Sequence, residues 1–243
     1  MVLQWLKARI QLRRARSCLA SGVGVGEALR VDAKALGDLF AIGGWRPVLD
    51  EGGRPVPRLS PWFAVKLDQK SAPWAFCKGS PERVVATLEL LATLVGLVVL
   101  DAIPGAASPG AARKGTITLR GWTDSSVAAT VVARQATMAF PLCCVNMEIA
   151  AQMEARGARL ELKWVPRTHN QEADDLANEN SWAFDESLRK DVGLDLIEWK
   201  VLPELLKEGE RFYAGLRERP AVRLRPGPGR GQRRPRLRET EPW

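Results

Sequence analysis

Residues 31–45 read VDAKALGDLFAIGGW, the joined ends of two apolar runs, 28–35 and 38–45, on either side of Gly37. An aspartate stands in the middle of the first run and Gly43-Gly44 near the end of the second. Short apolar runs broken by glycine are strand signals, and a Gly-Gly inside a strand marks a bulge or the close approach of another backbone. Sheet packing does not select an acid at the centre of an apolar strand. Asp32 therefore needs a partner, a ligand, or an edge position facing water.

The sequence continues the pattern outward. PWFAVKLD (61–68) reads as a third strand after a loop rich in glycine and proline. Ser80, Pro81 and Glu82 meet three helix-start rules together: a hydroxyl N-cap, proline at the first helical position and an acid in the first turn. The run that follows, VVATLELLATLVGLVVLDAI (84–103), has about the length of a bilayer span. Glu89 and Asp101 lie within it, and a carboxylate in hydrocarbon costs roughly 2.5–3.5 kcal/mol on insertion scales. A buried core helix is the better reading, and no membrane partner is expected. Glu89 then needs pairing or a metal, unless it lies on a narrow exposed stripe.

Beyond a Pro/Gly/Ala loop (103–115), TITLRGW (116–122) reads as a strand, with Asp124 just past its end. There the acid could serve as a ligand or simply cap the next helix. Helices are expected over 126–137 and 141–155, separated by Pro141. LELKWV (160–165) alternates Leu160, Leu162 and Trp164 with Glu161 and Lys163, the mark of a half-buried strand. Thr168 and Gln171 have capping-box spacing before a short helix, EADDLANE, in which Asp174 could be an ordinary first-turn acid. This order of elements predicts an α/β fold: a five-stranded mixed sheet, three antiparallel strands and then two parallel, flanked by helices.

With 243 residues, 46% of them hydrophobic, the chain can bury one substantial core and still carry extensions. The expected organisation is a basic helical linker or extension (1–28), a main domain (29–182), a helical appendage (183–218) and a disordered Arg/Pro/Gly-rich tail (219–243). Of the formal charge of +8, the tail holds +6, from eight arginines against Glu239 and Glu241. It reads as polyanion-seeking or as a solubilising terminus. Residues 1–26 are basic and lack acids, which fits a linker from a larger polyprotein or an organelle transit peptide. With no secretory signal, an intracellular location, cytoplasm or nucleus, is expected. Cysteines at 18, 77, 143 and 144 form no C-x-x-C pair and His169 is the single histidine, so a zinc site lacks ligands and reduced thiols are the default.

The quoted stretch resembles the first two strands of a ribonuclease H domain, ATLELLATLVGL (86–97) its glutamate-bearing helix, and GWTDSS (121–126) its T-D-S strand end. WVPRTHNQEADDLAN (164–178) resembles the W-x-P-x-x-x-N-x-x-A-D-x-L segment of retroelement ribonuclease H domains. Together with PWAFCKG (73–79) and AFPLCCVNMEIA (139–150), the chain looks closest to C-terminal domains of protist retrotransposon polymerases, with similarity over about residues 29–200.

The resemblance implies that Asp32, Glu89, Asp124 and Asp174 are the catalytic, metal-binding carboxylates. Two magnesium ions, or manganese in their place, would be held, with Asp32 bridging both, Glu89 and Asp124 on the leaving-group side and Asp174 on the nucleophile side. Such oxygen-only ligand sets suit these ions, and a pair of them can activate water and neutralise a leaving oxygen. The implied substrate is the RNA strand of an RNA/DNA hybrid, with Gly43, Gly44 and Ser125 as candidate contacts to it, and a fused or associated reverse transcriptase as partner. There are departures. TDSSVAA (123–129) stands where related elements often read T-D-N-x-G-N, and His169 lies too near Asp174 to match the mobile histidine of cellular ribonucleases H. No polymerase palm motif is present, so the chain is not a complete reverse transcriptase. A decayed or domesticated retroelement fragment that binds nucleic acid without cutting is the alternative.

The helical stretch 126–155 carries only Arg134, with Arg156 next to it, so substrate grip falls to the arginine-rich ends or to fused domains. Deleting residues 219–243 should weaken hybrid binding at low salt. It should also flatten the plot of log affinity against log salt by several times the roughly 0.7–0.9 expected per phosphate contact. Unchanged affinity and slope would assign the tail to another partner or to none.

Overall fold

The computed structural model describes residues 23–100 and 117–217. The expected N-terminal basic segment up to residue 22, Cys18, the 103–115 loop and the arginine-rich tail fall outside the described residues.

Strand β1 (Val23–Leu36) is the middle strand of a five-stranded sheet ordered β3-β2-β1-β4-β5. It pairs antiparallel with β2 (Leu39–Trp45) around a two-residue turn in which Gly37 takes a left-handed φ of 62°. A residue without Cβ reaches that region at no steric cost. β3 (Trp62–Asp68) continues the antiparallel side, while β4 (Ile117–Thr123) and β5 (Ala158–Trp164) run parallel to β1. This is the expected five-stranded mixed sheet, three antiparallel strands and then two parallel.

Helices cover both faces. Successive residues of a strand point to opposite sides, so Gly43 and Gly44 lie under different elements. Gly44 faces the side where Val31, Phe63 and helix α1 (Val85–Val99) pack. That larger core also takes in Val131 and Val132 of α2 (Ser126–Arg134) and Cys144, Val145 and Met147 of α3 (Leu142–Ala155). Gly43 faces α4 (Gln171–Ala177), which closes a smaller cluster of Trp45, Trp62, Ala173, Leu176 and Phe184. Helix α1 is buried continuously from Thr87 to Leu97, which is why its sequence is apolar all round. Among the described residues no helix is long and apolar enough to cross a membrane.

Several local expectations need correction. Ser80 does not cap α1. Residues Pro81–Val84 form a separate 3-10 turn, and the Ser80 hydroxyl instead donates to Glu82, 3.1 Å away. The capping box at Thr168 is also absent: Arg167–His169 form a 3-10 turn, and the Gln171 amide turns to Asp174 and Asp175. Trp164 departs from the inward row of Leu160 and Leu162 and is 54% exposed, because β5 ends there.

The stretch after residue 182 is tied into the domain. Phe184 joins the smaller cluster, and Leu202, Leu205 and Leu206 of α5 (Leu202–Arg217) join the larger core. Glu148 of α3 is fully buried and accepts from the backbone N–H groups of Lys200, Val201 and Leu202 at 2.8, 2.7 and 2.9 Å. One carboxylate thus takes three successive donors leading into α5, the last of them the N–H of its first residue.

A Cβ on Gly43 would stand 2.6 Å from the Ala177 nitrogen and 2.7 Å from the Leu176 carbonyl carbon, both backbone atoms that cannot step aside cheaply. Gly43→Ala should therefore destabilise the protein by about 1–3 kcal/mol, read as a lower urea midpoint at unchanged slope.

Candidate metal centre

Asp32 lies on the middle strand of the sheet and is 3% exposed, so it is no edge acid facing water. β1 and β4 run parallel with Arg30 opposite Trp122, and two residues further along this register Asp32 comes level with Asp124. Asp124 is not a helix cap, since the cap of α2 is Ser125, whose hydroxyl accepts from the Ala128 N–H at 3.3 Å. The Asp124 carboxylate is thereby left for the site. Its backbone is held by Trp164, whose indole N–H donates to the Asp124 carbonyl at 2.9 Å. Glu89, 6% exposed, reaches the same place from the buried side of α1. The Thr123 hydroxyl lies 3.5 Å from its Oε2.

Asp32, Glu89 and Asp124 each offer one oxygen, and those oxygens all lie within 4.8 Å of one another. Burial, the charge of Asp124 and, more weakly, that of Asp174 push the Asp32 carboxyl from 3.8 up to about 7. The Ala33 amide and Glu89 pull the other way. Glu89 is raised well above the usual carboxylate range by burial and then by the charges of Asp32 and Asp124. An oxygen-only cluster with this surplus of negative charge fits magnesium or manganese, and a divalent cation would supply counter-charge there.

Asp174 stands apart from the three. It is in the first turn of α4, and its Oδ1 accepts from Arg167, with the Arg167 Nε at 3.1 Å and Nη2 in closer ion-pair contact. Its charge still acts on Asp32, so it adjoins the cluster without joining the close group. Asp68 is taken up by a turn with Ser71, and Asp175 bonds the Gln171 amide, so neither is in the cluster. Gly43 and Gly44 are buried in a strand paired on both sides, and Ser125 is half-buried beside Asp124.

Three contributors were not singled out from the sequence. Trp164 holds Asp124, and Arg167 holds Asp174. The Asn170 amide donates to the Val31 carbonyl at 2.9 Å, tying the start of α4 to the strand residue before Asp32. Asn170 was visible as the asparagine of the quoted segment. The pairing of Arg167 had no signal, because seven residues separate it from Asp174 across a turn rather than along a helix.

No family model matches the chain, and no curated protein matches it. Among solved structures it is similar to LC11-RNase H1 in complex with an RNA/DNA hybrid, at 17% identity over 62% of this chain and 93% of that one, with a TM-score of 0.40. It is also similar to RNase H1 from the halophilic archaeon Halobacterium salinarum NRC-1, at 17% identity over 63% and 94% with a TM-score of 0.35. The N-terminal RNase H domain of rv2228c from Mycobacterium tuberculosis, as a maltose-binding protein fusion, matches at 15% identity over 63% and 92% with a TM-score of 0.34.

The raised Asp32 carboxyl sets a pH dependence for the metal-free protein. Between about 4 and 7 the folded state keeps a proton that the unfolded chain has released. Its stability should therefore fall as pH rises through that window and level off above it. In chelator, Asp32→Asn should raise the melting temperature at pH 8 and have little effect near pH 4. Equal effects at both pH values would contradict this electrostatic origin.

Proposed function

We propose that this chain is a metal-dependent nuclease that hydrolyses the RNA strand of RNA/DNA hybrids, as the ribonuclease H part of a retroelement reverse transcriptase. The observation that supports it most is the convergence of Asp32, Glu89 and Asp124, from a central strand, a buried helix and a strand end, into one oxygen-only cluster. The retroelement setting draws on the segment 164–178, whose Trp164, Asn170 and Asp174 all lie at or beside that cluster.

In this reading Asp32, Glu89 and Asp124 hold one ion, and Asp174 completes the set for a second. The ions, when bound, supply an activated water and neutralise charge on the leaving oxygen. The protein's part is to hold the oxygens at fixed positions. Asp32 is fixed by the paired middle strand, Asp124 by the Trp164 indole, and α4 by Asn170. Ser125, half-buried beside Asp124, offers a hydroxyl for a sugar or phosphate contact, while Gly43 and Gly44 enter through the packing they permit. Recognition of the RNA strand would rest on its 2′-hydroxyls.

One observation favours the alternative of a fragment that binds nucleic acid without cutting: Asp174 is engaged by Arg167 rather than gathered with the other three. Cleavage of an end-labelled RNA/DNA hybrid decides between them. The full chain should cut the RNA strand with magnesium and not with chelator, and Asp32→Asn should fall to the no-protein background. Hybrid binding without cleavage under any metal condition would favour the alternative, and full cleavage by Asp32→Asn would remove these carboxylates from the chemistry.

A further inference from the structure

The fourth carboxylate differs from the others in having a cation of its own. Arg167 reaches Asp174 Oδ1 with two of its nitrogens, and among the described ion pairs none involves Asp32, Glu89 or Asp124. The Arg167 side chain is 70% exposed, against 14% for Asp174. The hydrogen bond and charge of Asp174 hold the guanidinium more firmly protonated than usual, and the charges of Asp32 and Asp124 add to this, so the same group feels the whole cluster.

Resting on the metal reading above, we propose that Arg167 is a displaceable counter-ion: it neutralises Asp174 while no divalent ion is bound there, and an ion that takes Asp174 must displace it. A guanidinium and a divalent cation compete for the same oxygen. The competitor here is held from a single turn outside the sheet and stands mostly in water, so its release costs little. Among the described residues the other three carboxylates have no such ion-pair competitor. An ion among Asp32, Glu89 and Asp124 should therefore bind first, and the ion on Asp174 second and more weakly.

The test is calorimetric titration of the full chain with manganese chloride at constant ionic strength, without nucleic acid. Arg167→Ala should tighten the weaker site by about two- to fivefold, the factor an exposed ion pair can withhold. In an Asp174→Asn background the same substitution should change nothing at the remaining site. Far-ultraviolet circular dichroism confirms that each variant is folded. Equal affinities for wild type and Arg167→Ala would overturn the proposal alone. So would a gain that persists in Asp174→Asn, since it would come from the general field of a lost positive charge. If neither wild type nor Arg167→Ala takes up manganese, the metal reading fails and the proposal falls with it.

Discussion

Like charge held together out of water is the constraint on which the rest of this structure depends. Three carboxylates whose oxygens lie within 4.8 Å, two of them on buried residues, cannot all be ionised in a low-dielectric place unless a cation joins them. Among the described residues no ion pair is made to those three. The folded state instead keeps protons on Asp32 and Glu89 to higher pH than ordinary carboxylates do. A divalent ion that binds the folded state and not the unfolded chain would stabilise the fold by mass action, so metal uptake and stability are linked quantities here.

The architecture makes that crowding rigid. Asp32 is registered with Gly43 of β2, and β1 pairs with β4 as far as Arg30, so its backbone is held by the ladder just before the site. Glu89 is on a helix buried through most of its length, and Asp124 is held through its carbonyl by Trp164. Asp174 depends on less. Its seven-residue helix is positioned by close packing over Gly43 and by the bond from Asn170 to Val31. The carboxylate on this short helix is also the one that carries an ion pair.

Much of this was legible in the sequence, for identifiable reasons. Apolar runs, glycine punctuation and, for β5, period-two alternation located β2 to β5 to within two residues, whereas β1 begins at Val23, five residues before the expected start and within the stretch expected to be a helical linker. An acid amid apolar residues identified Asp32 and Glu89, because burying an unpaired carboxylate is expensive enough to demand a reason. Asp124 and Asp174 were ambiguous from the residues alone, since a strand-end or first-turn aspartate is common, and only the conjunction of four in order pointed to a site. Capping was read less well. Ser80 and Thr168 have the right neighbours, but 3-10 turns intervene, and such turns leave no periodic trace. Tertiary pairings such as Trp164 with Asp124 or Glu148 with the start of α5 join residues 40 to 54 positions apart and were beyond any local pattern.

The central claim is that the clustered oxygens of Asp32, Glu89 and Asp124 form a divalent-metal site. Its most direct test is the anomalous scattering of manganese in crystals of the protein soaked in a manganese salt. The account predicts a strong anomalous peak among those three carboxylates, present without nucleic acid and lost in Asp32→Asn. A well-ordered cluster with no peak at saturating manganese, or a peak only at other surface acids, would contradict it.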